Sequence, residues 1–286
     1  MPVPARPSRI RSLAAATGPL TTALLGAALL GASGGAAVAG AAPTPASPGV
    51  EGDPGCRPPA TGRWVVMEQG SAGGEPVARL RQERWHADGR LEGVLLERRG
   101  RGWRERAYVG QLRPAGTCRV TVERLLAVDP ADARPREVQR AGAVLDRSGR
   151  PAYSLDLAEG TVLSGRWWSQ ADGPCAEQTL GGVVLSQQQG LSWRSGAWQP
   201  NAVVQRELWR AGRVEGVALM SVAGRQELAS YGGSLRVAPS CLATIQQKDS
   251  QGVLYNYRAV LLANGGGYVY LQTDPDDLTI GWLEHR

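Results

Sequence analysis

Apolar and polar residues alternate along most of this chain in short runs rather than in helical stripes. Val120 and Val122 alternate with Arg119, Thr121 and Glu123, and Tyr153, Leu155 and Leu157 alternate with Ser154 and Asp156. A period of two puts successive side chains on opposite faces of a strand. Eight such segments follow Cys56: "GRWVVMEQ", "VARLRQERW", "LEGVLLER", "WRERAYVG", "CRVTVERLLAV", "EVQRAGAVL", "AYSLDL" and "TVLSGRWW". They are rich in Val, Leu, Trp and Tyr and are divided by turn residues, which predicts antiparallel strands joined by hairpins. Past residue 42 no stretch sustains a helical period with caps, so the fold class is all-β.

The same pattern is written twice. At a constant offset of 123, Gly89, Arg90, Glu92, Gly93, Val94 and Leu96 meet Gly212, Arg213, Glu215, Gly216, Val217 and Leu219. Tyr108, Gly110, Leu112, Arg113, Ala115, Cys118 and Thr121 then meet Tyr231, Gly233, Leu235, Arg236, Ala238, Cys241 and Thr244 without a gap. Short loop-length changes extend the match upstream to Cys56 and Cys175, and downstream to "AVLDRSGRPAYSLDLAEGTVLSGRW" against "VLLANGGGYVYLQTDPDDLTIGWLE". A period of about 115 residues is that of a duplicated domain rather than a solenoid repeat. The units are residues 56–170 and 175–286. Asp88-Gly89 and Ser148-Gly149, with Ala211-Gly212 and Asn264-Gly265 opposite them, are expected to be two-residue hairpin turns.

Eight antiparallel strands in so small a unit close most economically into an up-and-down barrel, which leaves no free edge. The expected architecture is therefore two tandem antiparallel barrels of about eight strands each. Gly62-Arg63-Trp64 shortly after a cysteine, hairpins carrying "EGV" and a Tyr-x-Gly, a cysteine leading a strand, and "VLDRSGRPAY" together resemble small bacterial calycin-type barrels, the class of lipocalins and avidins. The resemblance covers nearly all of residues 56–286, although Val183 stands in the second unit at the place of Trp64. It implies a closed meander and the binding of a small ligand.

The N-terminus has a different organisation. Arg6, Arg9 and Arg11 precede an uncharged stretch from Leu13 to Ala42 with small residues at its end, the layout of a secretory signal peptide cleaved near residues 39–42. Residues 1–41 are expected to be that leader and 42–55 a flexible linker; an uncleaved membrane anchor is the alternative. The chain carries 32 basic and 26 acidic residues, a formal charge of +6. Half of that excess lies in the leader, so the remainder is too weakly basic to imply nucleic acid.

All four cysteines, Cys56, Cys118, Cys175 and Cys241, lie beyond the leader, two per unit at equivalent places. An even count in an exported chain predicts disulfides. Of the three pairings, duplication favours Cys56 with Cys118 and Cys175 with Cys241. With no CxxC pair and only two histidines, His86 and His285, a metal site is not expected, and no cofactor motif is present.

Catalytic motifs are likewise missing: there is no nucleophile elbow, phosphate loop or HExxH. Glu92 and Glu215 are repeated, but the pleat is expected to turn them outward beside Arg90 and Arg213. Trp64, Tyr108, Tyr153, Tyr231 and Tyr270 are candidate pocket or core aromatics. In the first unit only, Arg98, Arg99, Arg101, Arg104 and Arg106 surround Trp103, a candidate anion-binding hairpin whose alternative is a solvated turn.

Three functions are open on these residues. The leading one is an exported, non-enzymatic protein, secreted or periplasmic, that binds a small apolar or amphipathic ligand. The second is an envelope component contacting an anionic polymer or protein partner through the arginine hairpin. The third is a small barrel isomerase or lyase using Glu92 or Tyr108.

Overall fold

The computed structural model describes residues 55–127, 137–170 and 173–285. The segments expected to be leader and, in nearly all its length, linker, residues 1–54, lie outside them. Sixteen strands form two closed antiparallel barrels with neighbours in simple sequence order. The first contains β1 (Gly62–Ala72), β2 (Glu75–Trp85), β3 (Arg90–Arg99), β4 (Gly102–Pro114), β5 (Arg119–Leu126), β6 (Val138–Leu145), β7 (Pro151–Asp156) and β8 (Thr161–Gln170). The second contains β9 (Gly182–Arg194), β10 (Ala197–Arg210), β11 (Arg213–Val222), β12 (Arg225–Val237), β13 (Leu242–Asp249), β14 (Leu254–Leu261), β15 (Gly267–Gln272) and β16 (Asp277–His285). β8 closes on β1, and β16 closes on β9. Among the described residues no helix is long and apolar enough to cross a membrane.

The barrels share one register. Gly62 faces Trp85 as Gly182 faces Trp209, Gly93 faces Tyr108 as Gly216 faces Tyr231, and Ser154 faces Gly165 as Tyr270 faces Gly281. The glycines opposite tyrosines are needed for space: a Cβ on Gly93 or Gly216 would stand 2.6 Å from the facing tyrosine hydroxyl. One hairpin breaks the constant offset. In the second barrel Ala211 and Gly212 both take positive φ (47° and 75°) and make the expected two-residue turn. In the first, only Gly89 does, and the loop from His86 to Arg90 is one residue longer. The true counterpart of Trp209 is thus Trp85.

Each barrel is pinned at one end by its own disulfide, Cys56–Cys118 and Cys175–Cys241, with sequence separations of 62 and 66. Loops of that length stabilise the fold by about 4 kcal/mol each on the chain-entropy view. The bonds fit an oxidising, extracytoplasmic location. The same ends hold the apolar floors: Trp64, Trp85, Leu91, Leu112 and Trp167 in one barrel, and Leu180, Trp209, Val214, Leu235 and Tyr268 in the other.

A third apolar cluster belongs to neither interior. Val65, Ala78, Leu80 and Leu96, on the outside of β1–β3, pack against Val260, Val269, Leu271, Leu278 and Ile280, on the outside of β14–β16. The barrels therefore lie wall to wall. Around this seam Arg98 donates to Pro275 O (2.8 Å), Arg258 pairs with Glu105 (2.9 Å), Arg101 pairs with Asp276 (2.8 Å), and Arg166 lies over the rings of both Trp168 and Trp282. Burial on both faces explains why β2 reads against the usual rule. Its Arg79 and Arg81 point into the barrel, and its Ala78 and Leu80 point out to the seam.

β7 is reversed relative to the simplest reading of its alternation. Ser154 and Asp156 point inward, where Ser154 accepts from Trp167 Nε1 (3.0 Å) and Asp156 pairs with Arg79 (2.6 Å). Tyr153, Leu155 and Leu157 are exposed on the outer surface. The interior is polar at this level, so polar residues are the ones it accepts.

Candidate functional site

The interior of the first barrel is filled by ion pairs. Glu68, Glu83, Glu97, Glu137 and Asp156 meet Arg79, Arg81, Arg104, Arg106 and Arg124. Arg79 bridges Glu97 (2.5 Å) and Asp156 (2.6 Å), and Arg104 bridges Glu97 and Glu137 (3.1 Å). Arg106 also reaches Glu137, Arg81 holds Glu68 (2.9 Å), and Arg124 holds Glu83. Gln139 ties two branches together, accepting from Arg81 (2.6 Å) and donating to Glu137 (2.6 Å). Burial by itself would raise the Glu68 carboxyl, but Arg81, Arg124 and Arg79 outweigh it and hold its pKa at about 2. Charges matched in this way are costly to separate.

At the corresponding register positions the second barrel is almost stripped of charge. Gln188 stands for Glu68, Val203 for Arg79, Gln205 for Arg81, Met220 for Glu97, Ala229 for Arg106, Gln247 for Arg124 and Gln272 for Asp156, while Arg104 is replaced at the rim by the acid Glu227. Shorter and neutral side chains leave a cavity of about 600 Å³. It opens between the hairpins at Ser195, Ala223 and Asp249, at the end away from the disulfide. Its lining is chemically mixed. Val203, Ala218, Met220 and Ala229, on β10–β12, form an apolar patch, bordered on β10 by the amides of Gln199, Asn201 and Gln205. Gln188, Gln247, Tyr255, Tyr257, Gln272 and Thr279, from β9 and β13–β16, form a wall of amides and hydroxyls. The Tyr257 hydroxyl has no hydrogen-bond partner among the described residues. Charge is confined to the rim, where Arg194 pairs with Asp277 (3.3 Å) and Arg225, Glu227 and Asp249 stand nearby.

Beneath the floor lies Glu207, the one interior acid retained from the first barrel and fully buried. It accepts from Tyr268 Oη (2.6 Å), Trp209 Nε1 (2.7 Å), Tyr231 Oη (2.9 Å), Gln247 Nε2 (2.9 Å) and, at longer range, Gln205 Nε2 (3.5 Å). Its counterpart Glu83 accepts from Trp85 Nε1 (2.9 Å), Tyr108 Oη (2.8 Å) and the Arg124 guanidinium. With glutamine in place of that arginine, burial pushes the Glu207 carboxyl up against the pull of its neutral donors. The carboxylate organises the floor: it fixes Tyr231 and Gln247, whose exposed faces line the cavity.

The candidates named from sequence are dispersed. Tyr231 lines the cavity, while Tyr270 is buried beside it and donates to Gln188. Trp64 and Tyr108 are packed in the floor and core of the first barrel, and Tyr153 lies on its outside. Of the arginine hairpin, Arg104 and Arg106 point into the first barrel. Arg98 is buried at the seam, Arg101 spans it, Arg99 pairs with Glu75 (2.8 Å), and Trp103 packs against the seam cluster. Glu92 and Glu215 point outward as expected, although Glu92 lies near His86 (3.5 Å) while Arg90 turns to Asp88 (2.5 Å). His285 contacts Val183 O at the surface. The described residues include no cluster of potential metal ligands.

Glu83 and Glu207 were missed. They stand two residues before Trp85 and Trp209, and the extra residue in the following turn hides the shared Glu-x-Trp from any alignment that keeps a constant offset.

No protein-family model matches the chain, and no curated protein sequence matches it significantly. Among solved structures, it is similar to a crystal structure of MucB in complex with MucA(peri), with 14% identity over 78% of this chain and 87% of that one. The TM-score is 0.20, too low for that likeness to carry an argument about function.

Proposed function

We propose that the protein is an exported binding protein whose second barrel holds a small, uncharged, amphipathic molecule, with the first barrel as its solid support. The observation that carries this reading is a cavity with an apolar patch set among neutral amides and hydroxyls, which occupies the space given to ion pairs in the first barrel. A volume of about 600 Å³ lies within the roughly 300–1,000 Å³ usual for small-molecule sites. The apolar patch on β10–β12 suits a hydrocarbon or ring face. The opposing amides and phenols suit hydroxyl, carbonyl or amide groups, which need partners once removed from water. An ionised group would find a counter-charge only at the rim. No general acid and base are assembled around the space, which favours holding a molecule over transforming one. An anionic polymer at the arginine hairpin would have to displace carboxylates and carbonyls already bound there.

The test is uptake of the neutral fluorophore N-phenyl-1-naphthylamine, combined with mass spectrometry of molecules extracted from natively purified protein. Wild type should brighten the probe in a saturable way, and Ala229→Trp, which fills the cavity, should abolish the signal while leaving the fold intact. If wild type neither brightens the probe nor yields a copurifying molecule, or if Ala229→Trp binds as well as wild type, the reading is wrong.

A further inference from the structure

The seam between the barrels uses a different face of each, and the twin of each face is left bare. On the first barrel the seam face is the outside of β1–β3. Its core residues Val65, Leu80, Val94 and Leu96 have as counterparts, by shared register, Leu185, Val204, Val217 and Leu219 on β9–β11. On the second barrel the seam face is the outside of β14–β16. Its residues Val260, Val269, Leu271 and Leu278 have as counterparts Val144, Tyr153, Leu155 and Val162 on β6–β8. The first member of every pair is buried or nearly so in the seam, while the second is exposed: Tyr153 is 63% exposed, Leu155 60%, Val162 76% and Leu219 49%. Apolar residues clustered on an outer barrel wall are unusual on a surface that meets only water.

We infer that these two bare faces bind each other between copies of the chain, β9–β11 of one copy against β6–β8 of the next, in repetition of the internal seam. The internal seam supplies a template for this contact, because the partners are duplicates in the same register, with Ser164 and Gln187 standing on the bare faces where the seam has Ile280 and Met67. The one ion pair across it with a revealing counterpart is Arg258–Glu105. Glu105 corresponds to Leu228, which is 74% exposed, and Arg258 corresponds to Gly142, which lines an outer groove with Val144, Tyr153 and Leu155. The repeated contact thus sets a projecting leucine against a recess floored by glycine, where the internal seam has an ion pair. A contact of this kind is heterologous, joining unlike faces. Each added copy therefore leaves one face of each kind open, and the assembly grows until it closes as a ring or continues as a filament.

The experiment is the solution mass of the purified protein, by light scattering and sedimentation from micromolar to near-millimolar concentration. Wild type should exceed the monomer mass. Leu155→Glu and Leu219→Glu, both on outer walls, should each leave the circular dichroism unchanged and reduce the species to monomer. An equimolar mixture of the two variants should form a dimer and nothing larger, since only one complementary pair of faces survives. Four results would overturn the inference: a wild-type monomer throughout, assembly that resists both substitutions, assembly lost in only one variant, or a mixture that stays monomeric.

Discussion

The two barrels share strand order, register, disulfide position and the Glu-x-Trp floor, yet one is solid and the other hollow. The difference lies in ten positions, where five carboxylates and five guanidiniums give way to amides, apolar residues, the retained Glu207 and, at the rim in the place of Arg104, Glu227. A closed sheet does not need an apolar filling; it accepts one in which charges are paired, even where single nitrogens such as Arg81 Nη1 and Arg124 Nη2 find no acceptor. The first barrel answers charge with charge. The second keeps the buried Glu207, satisfies it with neutral donors, and leaves the remaining volume free.

The contrast breaks most visibly at Arg124 and Gln247. Arg124→Ala strands the Glu83 carboxylate without its cation and is expected to cost about 3–5 kcal/mol, whereas Gln247→Ala removes one of several neutral donors to Glu207 and costs about 1 kcal/mol. Denaturant unfolding followed by strand-resolved hydrogen exchange would separate the two. Equal costs would show that the ion pairs do not set the barrels apart.

Acid should act next most strongly, and on one barrel. Glu68 has a folded pKa of about 2 against an ordinary 4.5. Its stabilisation is complete above pH 4.5 and is lost as the pH falls through 2, a loss of about 3 kcal/mol at 1.36 kcal/mol per unit. Glu207 has the opposite sign. Its raised pKa favours folding most below the ordinary carboxylate range, and that contribution fades as the pH rises. Hydrogen exchange at pH 3 should therefore show β1–β8 opening before β9–β16.

The smallest effect sharpens the comparison. Ala218 occupies the register position of Leu95, so Ala218→Leu transfers a first-barrel side chain into free space. The expected stability change is under about 1 kcal/mol, with a measurable weakening of probe uptake. A larger loss of stability would mean that the β10–β12 wall is closely packed rather than facing a cavity.

Duplication, strand count and closure could be read from the chain because glycines, turn residues and cysteines recur at matched spacing. What faces what could not. Alternation states that two sides of a strand differ, but not which side is covered, and here covering comes from an interior and from a seam. β2 is buried on both sides, so Arg79 and Arg81 resemble surface residues although they are interior ones. β7 misleads in the other direction, since Tyr153 and Leu155 resemble core residues. The hollow itself left no local signature. It follows from comparing Glu68 with Gln188 and Arg79 with Val203 across a registered pair, which requires the one-residue difference after Trp85 and Trp209 to be known.

Wall-to-wall packing also decides which staves of the hollow barrel can breathe. β14–β16 are backed by the neighbouring cylinder and cannot bow outward without tearing that lamination, and the disulfide cinches the far end like a hoop. Within one chain β9–β13 largely lack that backing, so on the proposed function the mouth would widen on their side, and the contact inferred with a second copy would stiffen β9–β11 and tie that widening to assembly.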